Sequence, residues 1–206
     1  MPRLAFVLAL ATLVGGSLAG QIVADDELTR YELLAPESHR FAIVYDVTTS
    51  VADARFFFNP IREGSVSTDE RVVDRATGQE LKWTLVKGKE AKASGLVEAT
   101  VKDEAPFIKI ELASPVPKGG ERRIRIYKTY LDAKSYRAEG DRIVFERSLS
   151  IRRNEVVLPA GYELVGSAVP AIVSTEADGR VVASFVNDRD DELPVKIEGR
   201  RPGTAK

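Results

Sequence analysis

The stretch from residue 142 to 187 constrains this chain more than any other, because it is punctuated at very short intervals. Apolar runs at 143–145, 155–158, 162–165, 171–174 and 181–186 are closed by Pro, Gly, Asn or Asp, with turns at 159–161 and 177–179. Runs this short, rich in Val, Ile, Tyr and Phe, are the sequence form of consecutive antiparallel strands. Branched and aromatic side chains suit a pleated, half-buried surface, and the closing residues suit turns. Nothing in the stretch has a helical period.

The rest of the chain repeats that grammar. A strand is expected at 28–34, a turn at Pro36 and Glu37, and a return strand over 40–49. There Phe41, Ile43, Tyr45 and Val47 recur at period two, so one face is buried. Three consecutive phenylalanines, Phe56, Phe57 and Phe58, stop at Asn59 and Pro60 and read as a central strand covered on both sides. Residues 70–74 and 81–86 read as a hairpin turning at Thr77 and Gly78. It carries the lone tryptophan, Trp83, expected to be largely buried where it closes a core.

The polar segment 87–95 has the length of one exposed helical turn. Strands are expected at 96–102 and 107–113, and Pro115, Pro117, Gly119 and Gly120 make the strongest internal break. Over 122–131, Ile124, Ile126 and Tyr130 share a face with Lys128, while Arg123, Arg125 and Tyr127 lie opposite. A loop at 132–140 precedes the opening stretch, and a last strand at 193–198 turns Val195 and Ile197 inward.

Counting these gives about twelve short strands, too many for a simple sandwich. The prediction is an all-β fold, one enlarged antiparallel β-sandwich over residues 20–199, with two β-lobes split near 115–120 as the alternative. Residues 200–206 lack a large apolar group to offset backbone entropy and are expected to be a disordered tail.

The N-terminus predicts export. Arg3 is followed by an apolar run over 4–14 and small residues over 15–20, the form of a secretory signal peptide over 1–19. Ser17 and Ala19 suit the positions before a cut, so the mature protein starts at Gly20 and is periplasmic or extracellular, meeting the membrane only through the transient signal. The chain has no cysteine, which argues against a lipoprotein and leaves the exported product without disulfides. Thirty Lys and Arg balance 31 Asp and Glu for a net charge of −1. Nucleic acid is therefore excluded as a partner, since counterion release needs clustered cations.

Exclusions dominate the chemistry. His39 is the sole histidine, so zinc would have to be held almost wholly by carboxylates, and a Ser-His-Asp triad could use no other base. His39 itself reads as a turn residue beside Arg40. No Gly-x-Ser-x-Gly elbow, phosphate loop or dinucleotide fingerprint is present, so no cofactor is expected. A carboxylate-based hydrolase stays as an alternative, because Asp and Glu are plentiful and their spacing in sequence says nothing about their distance in a sandwich. Asn187, Asp188, Asp190, Asp191 and Glu192 form the densest acidic group. It reads as a solvated turn interrupted by Arg189 rather than as a calcium loop.

Tyr127, Tyr130 and Tyr136 flank one strand and its loop and are the candidate binding surface, since exposed rings suit sugar or peptide contacts; the plainer reading packs them on the core edge. Arg122, Arg123 and Arg125, and the pair Arg152 and Arg153, read as charges that guard edge strands against aggregation.

One resemblance joins these features. The order of a strand at 41–47, an apolar strand ending at Pro60, a loop containing Gly64 and a hairpin with Gly78, Leu81 and Trp83 resembles the N-terminal β-domain of the glycyl-aminopeptidase-like zinc peptidases. Only Pro60 stands where that family's loop typically has two prolines, no aromatic follows Gly64, and no His-Glu-x-x-His follows. The resemblance thus implies the fold and a role in engaging extended peptides, but not peptidase activity.

The functional expectation is a non-catalytic exported protein that binds an envelope or secreted protein, a peptide or a polymer, by pairing a strand with an exposed sheet edge. A self-assembling structural subunit of the envelope is the rival.

Overall fold

The computed structural model describes residues 27–203. The predicted signal peptide at 1–19, the lead-in through residue 26 and the last three residues of the tail lie outside the described residues.

Fourteen strands, one short α-helix and a 3-10 turn at Pro36–Ser38 lie among the described residues: β1 (Leu28–Leu33), β2 (Arg40–Thr49), β3 (Phe56–Pro60), β4 (Val66–Asp74), β5 (Trp83–Lys87), α1 (Gly88–Ala93), β6 (Pro106–Glu111), β7 (Arg122–Leu131), β8 (Tyr136–Glu139), β9 (Arg142–Leu149), β10 (Arg153–Val157), β11 (Glu163–Ser167), β12 (Ile172–Thr175), β13 (Val181–Val186) and β14 (Leu193–Arg200). They build a seven-stranded sheet in the order β12-β13-β10-β1-β2-β7-β4, a four-stranded sheet β11-β14-β9-β8, and a three-stranded sheet β3-β6-β5.

Period-two alternation decides which face of the large sheet is covered. Phe41, Ile43 and Val47 in β2 and Ile124, Ile126, Lys128 and Tyr130 in β7 all turn inward. The four-stranded sheet covers one end of that face, burying Tyr31, Phe41, Tyr130, Phe145 and their neighbours in an aromatic cluster with ring centroids 5.4–6.0 Å apart. The three-stranded sheet covers the other end, over Val47, Val72, Ile108, Ile110, Ile124 and Ile126. Tyr45 and Ile61 touch both clusters and join them into one core. Each fully buried large side chain contributes about 1.5 to 3 kcal/mol. The opposite face of the large sheet carries ion pairs, among them Arg30 with Glu155 and Glu176, and Arg180 with Glu32.

This is the predicted all-β enlarged sandwich. It has two small sheets side by side on one face of a large one, and more strands than were read. The strands of the opening stretch are antiparallel except for one pair: β10 lies parallel to β1. Successive strands there also shuttle between sheets, β9, β11 and β14 in the four-stranded one and β10, β12 and β13 in the large one. Alternating apolar residues suit either sheet equally, so the sequence pattern does not distinguish them.

Several local expectations are corrected. The hairpin at 70–86 keeps its turn, where Asp74 accepts from the backbone N–H groups of Ala76 and Thr77 at 2.9 Å, but only an isolated bridge joins Val73 and Glu80. Its strands then part, β4 pairing with β7 and β5 with β6. Trp83 is accordingly half-buried, packed against the core from the rim of the small sheet. β3 is an edge strand rather than a central one, although both its faces are covered: Phe57 packs toward the large sheet, and Phe56 and Phe58 pack outward.

No strand forms over 96–102. That segment folds with α1 over the outer face of the three-stranded sheet, where Leu96, Val97 and Val101 pack on Phe58 and Phe107. The loop at 132–140 contains β8. The guard role of the arginines fails, because β7 and β10 are both interior strands. At the far end, β14 runs through Arg200, two residues past the predicted strand end at 198 and one into the predicted tail.

Candidate functional site

The three tyrosines do not form a surface. Tyr136 is fully buried and its hydroxyl donates to the Leu34 carbonyl at 2.8 Å; Tyr130 is 2% exposed. Both belong to the core, as the alternation of β7 and the inward start of β8 dictate. Tyr127 lies on the opposite face of β7, half-buried beneath the Arg71 guanidinium at 4.1 Å. Tyr130 does line a cavity, and the residue that gives this cavity its chemistry, Lys128, was legible only as a lysine on an apolar face.

A cleft of about 310 Å³ opens at the seam between the two smaller sheets. Its floor is the large sheet, through Tyr31, Ile43, Tyr45, Lys128 and Tyr130. One wall is Asn59, Pro60 and Arg62 at the end of β3, and the other is Arg147 to Ile151 at the end of β9, with Glu192 among the lining residues. The seam accommodates Lys128: its strand position points inward, and there it lines the cleft between the two smaller sheets.

Lys128 is 6% exposed, and its Nζ donates to Asn59 Oδ1 at 2.5 Å and sits 4.9 Å from the Tyr130 ring. Burial, reinforced by the charge of Arg147 and opposed by Glu70, lowers its pKa to about 7. Glu70 comes near through a bulge in β4 between Thr68 and Arg71, where one of its carboxylate oxygens is buried without a hydrogen bond.

Arg147 is also buried, with its guanidinium 5.4–5.9 Å from the Tyr31, Phe41 and Tyr130 rings. Its Nη1 donates to Asp132 Oδ2 at 3.2 Å and to Ser135 Oγ at 3.3 Å. Asp132 accepts further bonds from Ser65, Ser135 and the Lys134 backbone. Burial pushes the Asp132 carboxyl up, but these hydrogen bonds and the Arg147 charge outweigh it and hold the pKa below the usual range. Burial lowers the Arg147 pKa.

A second feature is a short, exposed sheet edge. β12 closes the seven-stranded sheet, and all four of its residues are exposed, Ile172 at 72% and Val173 at 54%. It carries no charge, no proline and no bulge. The other edge of that sheet, β4, carries Asp69, Glu70 and Arg71 and a bulge.

The acidic loop is tied by its own residues. The Asn187 amide donates to the Leu149 and Asp191 carbonyls, and Arg189 forks Asp191 at 2.6 and 3.1 Å. Among the described residues no group of three or more His, Asp or Glu side chains is placed to hold a metal ion. No described helix is long and apolar enough to cross a membrane. His39 sits in the left-handed turn before β2 with Nδ1 3.1 Å from the Tyr136 carbonyl, a turn residue as read.

No protein-family model matches the chain, and no curated protein matches it in sequence. Solved structures match its shape. An M1 zinc metallopeptidase from Deinococcus radiodurans superposes with a TM-score of 0.50 at 11% identity, covering 84% of this chain and 41% of its own. A point mutant of a two-domain M1 zinc metallopeptidase, bound to L-tryptophan, gives the same values. The likeness is one of fold. The shared part is the N-terminal domain region of those enzymes, the architecture that the resemblance at Pro60, Gly78 and Trp83 implied. This chain spans about two fifths of their length.

Proposed function

We propose that this chain is an exported, non-catalytic β-sandwich domain that binds an extended segment of an envelope or secreted protein along the free edge of β12. The observation that carries this reading is the exposure of Ile172 and Val173 on an uncharged, unbulged edge strand. Such edges are usually blunted, because their unpaired N–H and C=O groups recruit another strand. An incoming strand would gain affinity from those backbone groups and selectivity from alternate contacts with Ile172 and Val173. The fold shared with a peptidase N-terminal domain region is compatible with such a role, and the apolar leader at 4–14 supports export.

The test is a pull-down from an envelope extract with the tagged chain and with Val173→Lys, followed by amide exchange on the complex. A partner recovered by the parent chain alone, with slowed exchange at 172–175, supports the reading. A partner held equally by Val173→Lys overturns it. If only the bait is recovered and light scattering gives a mass that grows with concentration, the edge pairs copies of this chain and the self-assembling reading replaces it.

A further inference from the structure

The cleft at the seam contains a buried lysine that no carboxylate pairs directly. Lys128 has three donors and makes one hydrogen bond, to the neutral Asn59, and among the described residues Glu70 acts on it through its charge without forming an ion pair. Arg147 shares the Tyr130 ring with it and is paired through Nη1 with Asp132 and Ser135, and Arg62 lines the rim with Nη1 on the Ser148 carbonyl. On the negative side stand Glu192 in the lining, Asp132 behind Arg147, and Glu70 across the strand from Lys128.

A buried ammonium without a direct ion-pair partner is costly, and an apolar side chain at that position would have removed the cost. The protein instead keeps an open volume in front of it. That volume is at the lower end of the range for small-molecule sites. It combines an apolar floor from Ile43, Tyr31 and Tyr45 with a few convergent polar groups.

We infer that this cleft binds a carboxylate, which accepts hydrogen bonds from Lys128 Nζ and faces Arg147, while the apolar part of the same molecule packs on Tyr31, Tyr45 and Ile43. The low-dielectric surroundings strengthen such a contact, and the bound anion supplies the direct ion-pair partner that Lys128 lacks. Asn59 orients the ammonium, with its Oδ1 taking one donor and leaving two for the ligand. A free organic acid and the C-terminal carboxylate of a peptide present the same group. The site is separate from the β12 edge, and neither proposal needs the other.

The experiment titrates the chain, labelled with ¹³C at the lysine ε-carbons, with benzoate, with benzamide, and with N-acetyl-Ala-Ala-Phe as its free acid and as its C-terminal amide. The expected result is a saturable shift of the Lys128 resonance and a rise in its pKa with the acids, neither occurring with the two amides. Lys128→Met should weaken binding of the acids by about tenfold or more, the loss expected for a charge-assisted hydrogen bond. Tighter binding of the peptide acid than of benzoate identifies a chain terminus as the source, and the reverse identifies a free acid. The inference is overturned if no acid moves the Lys128 resonance, or if a folded Lys128→Met chain binds benzoate as the parent does.

Discussion

Arg125 and Asp46 stand directly opposite each other on β7 and β2, and Arg125 Nε and Nη2 reach different Asp46 oxygens at 2.6 Å each. This fork lies on the outer face of the large sheet at a half-buried position, where two charge-assisted bonds hold better than an exposed pair. Asp46→Asn should cost about 1 to 3 kcal/mol at neutral pH, read as a lower urea midpoint. Burial alone would raise the Asp46 pKa, but the Arg125 bonds and charge outweigh it and the net direction is down. The contribution is therefore complete above the unfolded value of about 4 and is lost as pH falls through the lower folded value. In strong acid the parent and the variant should unfold at the same midpoint.

Removing Asp132 should hurt more. Arg147 and Asp132 are each 7% exposed at the side chain, so Asp132→Ala leaves a buried guanidinium with Ser135 as its remaining partner. The expected loss is about 3 to 5 kcal/mol. Arg147→Met with Asp132→Ala should recover part of it, which a double-mutant cycle of thermal midpoints would read.

Lys128 runs the other way. Its folded pKa, about 7, lies below the unfolded value, so the unfolded chain binds the extra proton between the two. Stability should rise as pH climbs from about 7 toward the unfolded value of about 10.4. Lys128→Met should therefore stabilise the protein at pH 6, with a gain that shrinks toward pH 10. A gain independent of pH would mean that the ammonium is not desolvated.

Gly88 opens α1 under a tight constraint. A Cβ at that position would lie 2.1 Å from the Lys102 carbonyl oxygen, and backbone on both sides cannot yield cheaply. Gly88→Ala should displace α1 from Phe58 and Phe107, with a cost of about 1 to 3 kcal/mol. Limited proteolysis should then cut within 94–105 while the two large-sheet clusters stay protected.

What the sequence made legible follows its periodicities. β2 and β7 match their predicted spans to the residue, because ten-residue alternations between Gly, Pro and polar breaks leave one register that buries the apolar set. The placing of strands into sheets was not legible, since Val72 and Trp83 look alike as neighbours of a turn whichever sheet takes them. β8 was missed because Tyr136 is the only large apolar residue in 132–140. The site was missed for a related reason: Lys128 on an apolar face was visible, but its distance from Arg147, 19 places along the chain, depends on two sheets meeting. The tyrosines were singled out by type, whereas their exposure depends on the parity of their strand positions.

The parallel pairing of β1 with β10 bears on how the chain reaches this state. Arg30 and Glu155 are 125 residues apart, yet their side chains meet at 3.1 Å, and β1 is an interior strand of the large sheet. Until β10 arrives, β1 exposes one ladder of backbone groups, and the sheet is left in two pieces. Closing a loop of that size comes before its reward, which places refolding in the slow class of non-local β topologies, about milliseconds to seconds. During that interval the unfinished chain presents apolar strand edges to its neighbours, so yields on refolding should fall steeply with protein concentration.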